Sequence, residues 1–177
     1  TTSPTVTPGE MVASISREGP CLTNPITFSD EDLPSYGAQL DLALYISVSC
    51  SQGIIPMTLI DDSSAVNVLP LKTAKLLGLT DNDFAPTSHT VRGFDGIVRR
   101  ISGTVNLVVC AGIVERKIEC QVIDVVTSFN HFLGRPWLQS MGAISSTLHQ
   151  KVKISLKEEV ITINPTPITM SGGYTAF

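Results

Sequence analysis

Two adjacent carboxylates, Asp61 and Asp62, follow a short apolar pair, Leu59-Ile60, and precede Ser63, Ser64 and a second apolar run from Val66 to Leu69. An apolar run bounded by turn residues reads as a buried strand. A buried strand that delivers a carboxylate into a small-residue turn puts charge where charge is unfavourable. The same residues also suit an Asx-type turn, in which Asp61 or Asp62 caps its own backbone. Neighbours in extended backbone point to opposite faces, so Asp61 and Asp62 do not by themselves converge on one water. Two further features follow in order. Gly93-Phe94-Asp95-Gly96 is a glycine-flanked, aromatic hairpin tip, read either as an ordinary hairpin or as a mobile cover over a cleft. Phe132-Leu133-Gly134-Arg135-Pro136-Trp137-Leu138 is an apolar pair ending in glycine, after which Arg-Pro opens a short helix carrying the only tryptophan.

The elements that must position these residues are mostly strands. Apolar residues at 40, 42, 44, 46 and 48 alternate with smaller or polar ones, the period of a half-buried strand. Gln52-Gly53 turns the chain, and Ile54–Ile60 returns carrying Asp61. Pro70 to Gly78, with Leu71, Ala74 and Leu77 at helical spacing, predicts a short helix with start and stop signals. Thr87–Arg92 with Val98–Ile101, Ile101–Val109 with Glu115–Val125, and Lys151–Leu156 with Val160–Ile163 read as three hairpins. Strands at short intervals with one or two small helices predict an all-β barrel or sandwich in one domain over 34–164. Residues 1–33, rich in Thr, Ser and Pro, read as a flexible arm or linker with a short strand at Met11–Ser16, and 165–177 as a loose tail. Asp30-Glu31-Asp32 reads as a solvated turn.

Composition narrows the partners. Of 177 residues 42% are hydrophobic and only 16% charged, which fits a compact domain with much of its side-chain mass buried or a surface shaped for a partner. The net charge is −4 and the only basic pair is Arg99-Arg100, which argues against direct nucleic-acid binding. No apolar run approaches the roughly 18–20 residues that cross a bilayer. Cys21, Cys50, Cys110 and Cys120 show no CxxC spacing and no metal-ligand pattern with Asp or His, so neither a metal nor a cofactor is expected. They read as reduced thiols in an intracellular, cytoplasmic setting, with no signal peptide visible. His89, His131 and His149 are scattered, with no nucleophile motif nearby, and read as surface or capping residues.

Taken in order, the Asp turn, the glycine-tipped hairpin and the Leu-Gly-Arg-Pro-Trp stretch resemble a retropepsin. This is the aspartic protease of retroviruses and Gypsy-type LTR retrotransposons, and the resemblance is closest to those within plant Gag-Pol polyproteins. Leu59 to Val68 resembles that lineage's Asp-Asn-Gly-Ser-Ser/Ala-Leu/Ile-Asn-Val stretch, Val91 to Gly96 its flap, and Phe132 to Leu138 with Gly142 to Lys151 its C-terminal part. The resemblance runs from Thr27 to Ile163. It implies a closed acid-protease barrel with Asp61 as the one catalytic carboxylate of each chain, in a turn completed by Asp62, Ser63 and Ser64. Gly93, Phe94, Asp95 and Gly96 would form the flap, and Leu133, Gly134 and Arg135 would support the site. The implied partners are a second copy of the chain, in a C2 homodimer, and an extended peptide or polyprotein substrate.

The turn departs from the family's Asp-Thr/Ser-Gly. Ser63 stands where glycine permits close backbone approach. Asp62 adds charge where the family's hydroxyl links the two chains. Four carboxylates near one axis predict poor dimerisation at neutral pH, improved by mild acid. The family's arginine at position 135 pairs with a carboxylate near the turn, but the corresponding position here is Ala65, and otherwise Arg135 is a surface residue. The alternative to a working peptidase is a catalytically impaired fold kept as a protein-binding or dimerisation module.

Overall fold

A computed structural model describes residues 25–93 and 95–167. The expected strand at Met11–Ser16, Cys21, the flap residue Phe94 and the end of the tail lie outside these residues. In chain order the strands are β1 (Leu44–Cys50), β2 (Gly53–Ile60), β3 (Val68–Pro70), β4 (Thr90–Arg92), β5 (Val98–Arg100), β6 (Gly103–Ala111), β7 (Val114–Ile123), β8 (His131–Leu133), β9 (Ala143–Ser146), β10 (Lys151–Leu156) and β11 (Glu159–Ile163). The helices are α1 (Leu71–Leu76) and α2 (Arg135–Met141). Six strands close into a barrel in the order β1-β2-β8-β3-β7-β6, as the all-β reading expects.

β1 begins at Leu44 rather than Leu40. Leu44 lies opposite Ile60, and beyond Ile60 the partner chain turns away into Asp61. Residues 40–43 therefore have no ladder to join, and Leu40 is 91% exposed. Further along, the register shifts between Ile46 and Val48, where Pro56 and Met57 bulge out of β2 with Met57 at φ 53. Proline suits a bulge because it has no N–H to offer a ladder. Asn130 holds this bulge, its N–H donating to Met57 O at 3.0 Å and its Nδ2 to Pro56 O at 2.8 Å.

The long β6–β7 hairpin sets Cys110 opposite Glu115 and Cys120 opposite Val105, so the two cysteines on it are not cross-strand neighbours. Cys50, Cys110 and Cys120 are free thiols. The barrel closes where Ser49 and Cys50 of β1 pair with Cys110 and Val109 of β6. β8 lies between β2 and β3, parallel to the first and antiparallel to the second. That central place belongs to the strand leading into Gly134, and it is what brings the two distant motifs together.

α2 is too short to be stable alone and is held by its packing. It buries Trp137, Leu138 and Met141, at about 2 kcal/mol for each large apolar side chain removed from water. Gly142, at φ 60, ends it in the left-handed conformation and sends the chain into β9, a strand the hairpin reading does not anticipate. β9, β10 and β11 form a second, three-stranded sheet. Residues 25–33 lie against it. Asp32, expected in a solvated turn, is instead half-buried, and its carboxylate accepts from Lys153 Nζ at 2.9 Å. That bond, then the Ser29 N–H, holds the Asp32 carboxyl below the usual carboxylate range. Lys153 also donates to Thr27 O and sits 4.8 Å above the Phe28 ring.

Candidate active site

Asp61 is the first residue beyond β2. The parallel β2–β8 ladder ends with Ile60 beside Leu133, and one further bond, from Asp61 N–H to Leu133 O at 3.0 Å, carries the pairing into the turn. The far side of the turn is held by the next residues of the same strand exit. Arg135 N–H donates to Ser64 O at 2.9 Å. Between them Gly134 packs so closely that a Cβ there would lie 2.4 Å from Val66 O and 2.8 Å from Ser64 O. Leu133, Gly134 and Arg135 thus bracket the Asp61 turn with main-chain atoms. The Arg135 side chain is exposed and makes no ion pair among the described residues.

The Asp61 carboxylate is half-buried. Its Oδ1 accepts the Ser63 N–H at 2.9 Å and the Ser63 hydroxyl at 2.5 Å, while Oδ2 has no partner among the described residues. The Asx-type turn is therefore present, and it leaves one carboxylate oxygen open for other work. Ser63 has no positive φ, so its Cβ brings no left-handed strain, and its hydroxyl turns onto Asp61. Asp62 is exposed. Ser64 Oγ donates within the turn, to Val66 O at 3.1 Å.

The hairpin of β4 and β5 is a separate two-stranded sheet. Its Val91 packs against an apolar cluster of Val68, Ile101, Ile123 and Phe132. At the tip Gly93 N–H donates to Ile97 O and Gly96 N–H to Gly93 O, both at 3.0 Å. Arg99 grips Asp95 through two bonds, of 3.1 and 2.6 Å, and Ile97 N–H donates to the same carboxylate at 2.9 Å. The Arg99 bond first, and then the Ile97 N–H, hold the Asp95 carboxyl down to about 2. Among the described residues no hydrogen bond joins this tip to the Asp61 turn.

Two buried polar residues near the site, Asn67 and His131, have roles that the sequence reading does not anticipate. Asn67, 2% exposed, accepts Gly134 N–H on Oδ1 at 3.0 Å and donates from Nδ2 to Glu119 O at 3.1 Å. His131 is fully buried on β8, against the expectation of a surface or capping histidine, because β8 has barrel strands on both sides. Its Nε2 lies 3.4 Å from Cys120 Sγ and its Nδ1 has no partner among the described residues. Burial pushes the Cys120 thiol up to about 12 and the His131 imidazole down to about 3. Both shifts favour the neutral forms, so the pair is an inert core contact and not a thiolate–imidazolium nucleophile. His149 does take a capping-type role, with Nδ1 2.7 Å from Ser146 Oγ. No cluster of metal-ligating side chains occurs among the described residues.

No protein-family model and no curated protein matches the sequence. Solved structures do match the fold. The retroviral protease-like domain of Ddi1 from Leishmania major superposes with a TM-score of 0.55 at 15% identity, over 71% of this chain and 94% of that one. EIAV protease, in complex with the inhibitor HBY-793, gives 0.50 at 18% identity, over 61% and 96%. A retropepsin-like aspartic protease from Rickettsia conorii gives 0.50 at 19% identity, over 63% and 91%. The chain has the retropepsin-like aspartic protease fold. At these identities the likeness establishes the fold alone.

Proposed function

We propose that this chain is an aspartic endopeptidase, active as a homodimer with one Asp61 from each copy, that cleaves extended peptides such as a retrotransposon polyprotein. The observation that carries this reading is the Asp61 carboxylate, held at the end of β2 by the Leu133–Arg135 main chain with one oxygen open. Two such groups held close share one proton, since both cannot ionise. The ionised one takes a proton from a water between them while the neutral one polarises the scissile carbonyl. The pair titrates as a unit. An extended peptide would lie between this floor and the hairpin of β4 and β5, adding its backbone in strand fashion.

The test is cleavage of a pooled peptide library from about pH 3 to about pH 8, beside Asp61→Asn and with pepstatin-type inhibitors. Activity abolished by that one change and by the inhibitors is the expected result. Absence of cleavage at every pH, with the fold intact by circular dichroism, rejects the reading. It would favour the impaired module, which the departure from the family's turn at Asp62 and Ser63 also favours.

Association carries its own test. Two Asp61 and two Asp62 near one axis repel when ionised, so sedimentation should show more dimer in mild acid than at neutral pH. Asp62→Asn should narrow that difference, and a dimer fraction indifferent to pH would remove electrostatics as its control.

A further inference from the structure

We propose that Asn67 is a positioning residue for Asp61, its side-chain amide fixing the distance between the Asp61 turn and the β8–α2 junction. The proposal rests on the peptidase reading for its kinetic consequence, though not for its structural one. Three strands meet at this amide. Its Oδ1 accepts Gly134 N–H at 3.0 Å at the exit of β8, and its Nδ2 donates to Glu119 O at 3.1 Å on β7. Its own main chain, just before β3, accepts Gln121 N–H at 2.8 Å. Gly134 is the residue wedged against Ser64 O and Val66 O, and its neighbours Leu133 and Arg135 carry the main-chain bonds to Asp61 and Ser64. A shift of Gly134 is therefore a shift of the turn. Asn67 never contacts the reacting atoms; it acts through Gly134.

The site demands one group that accepts on one side and donates on the other, 2% exposed to water. A neutral amide does this. A carboxylate of the same shape accepts from Gly134 N–H but faces the Glu119 carbonyl with a second lone pair. Once protonated, the same carboxyl again accepts on one side and donates on the other. Burial raises the proton affinity of such a group above the ordinary aspartate value of about 3.9. Asn67→Asp is thus wild-type-like in acid and defective above its own ionisation, while Asn67→Ala is defective throughout.

The experiment measures kcat and KM across pH for wild type, Asn67→Ala and Asn67→Asp, with the folded fraction followed by circular dichroism at each point. Asn67→Ala is expected to lose on the order of 10²-fold in kcat at every pH, as a small misplacement of a reacting group does, with KM nearly unchanged. Asn67→Asp is expected to approach wild type in acid and to fall about tenfold below it at neutral pH, while remaining folded. A kcat within about twofold of wild type for Asn67→Ala, or an Asn67→Asp profile that superimposes on wild type, overturns the proposal. A second readout separates it from the peptidase reading. If the wild type cleaves nothing, the Asp61 carboxyl titration and the Asp61 and Ser63 amide signals, followed by NMR, still decide. Movement of these in Asn67→Ala supports the positioning role, and signals unchanged from wild type overturn it.

Discussion

The Asp61 turn and the Gly93–Gly96 tip are both short turns, yet they are held in opposite ways. Every bond that fixes the position of the turn comes from far along the chain: Leu133 to Asp61, Arg135 to Ser64, and Gly134 and Glu119 to Asn67. Among the described residues, every hydrogen bond at the tip comes from within four residues: Gly93 with Ile97, Arg92 with Gly96, and Asp95 with Ile97 and Arg99. The turn is accordingly as stable as the barrel itself. The hairpin tip keeps its own shape, and the hairpin meets the barrel through side-chain packing of Val91 on Val68, Ile101, Ile123 and Phe132. A fixed floor under a cover with its own local bonds suits the proposed closing of the site over an extended peptide.

Acid should break the two regions apart with the largest effect. His131 lies on β8, the strand that holds the turn, and its imidazole is pushed down to about 3 by burial. The unfolded chain binds that proton near pH 6.5. Stability from this group is complete above the unfolded value. It falls as the pH drops, at up to about 1.4 kcal/mol per unit, until the folded value is reached. The His131 Nε2 meets Cys120 on β7, and its neighbour in the β2 ladder is Thr58; neither carries a compensating charge. The tip responds in a different pH window. Asp95, held down to about 2, keeps its contribution above the ordinary carboxylate value and loses it only as pH falls through about 2. Urea unfolding across a pH series should show the steep acid loss in wild type and a shallower one in His131→Leu. Equal slopes would mean that β8 is not the acid-weak element.

Glycine substitutions sharpen the comparison at a smaller scale. At Gly134 a methyl group would sit 2.4 and 2.8 Å from two carbonyl oxygens of the turn, backbone atoms that cannot swing aside. Gly134→Ala should cost about 3 kcal/mol in global unfolding. Gly96 has open space around it but a φ of +76, so Gly96→Ala should cost only about 1 kcal/mol, confined to the hairpin. Comparable global losses from both would contradict the independence of the two regions.

The same contrast explains what could be read from the chain itself. The hairpin tip was legible because its contacts are local, and so was the Asp61 turn as a turn, since Ser63 and Asp61 are two residues apart. Strands at short intervals point to an all-β barrel or sandwich, and the closed barrel is what the resemblance to retropepsins implies. Asn67 was not legible as part of the site, because its partners are 67 and 52 residues away and only β8 and β7 bring them near. His131 gave no sign of burial either, since its environment is supplied by strands on both sides of β8. β1 starts later than its alternation suggests, because alternation continues through residues 40–43 while the partner strand does not.

The Arg135 side chain gives the smallest effect and the narrowest test. Its main-chain N–H holds Ser64 O, whereas its guanidinium is exposed and without an ion pair among the described residues. Arg135→Pro would remove that N–H and drive the ring Cδ against Ser64 O, so although helix starts accept proline it should cost well over about 1 kcal/mol. Arg135→Ala keeps the N–H and should change monomer stability by less than about 0.5 kcal/mol in urea unfolding. If the alanine variant instead destabilises only at concentrations where the chain associates, the partner of the arginine lies on the second copy. The side chain would then belong to the dimer while its backbone belongs to the turn.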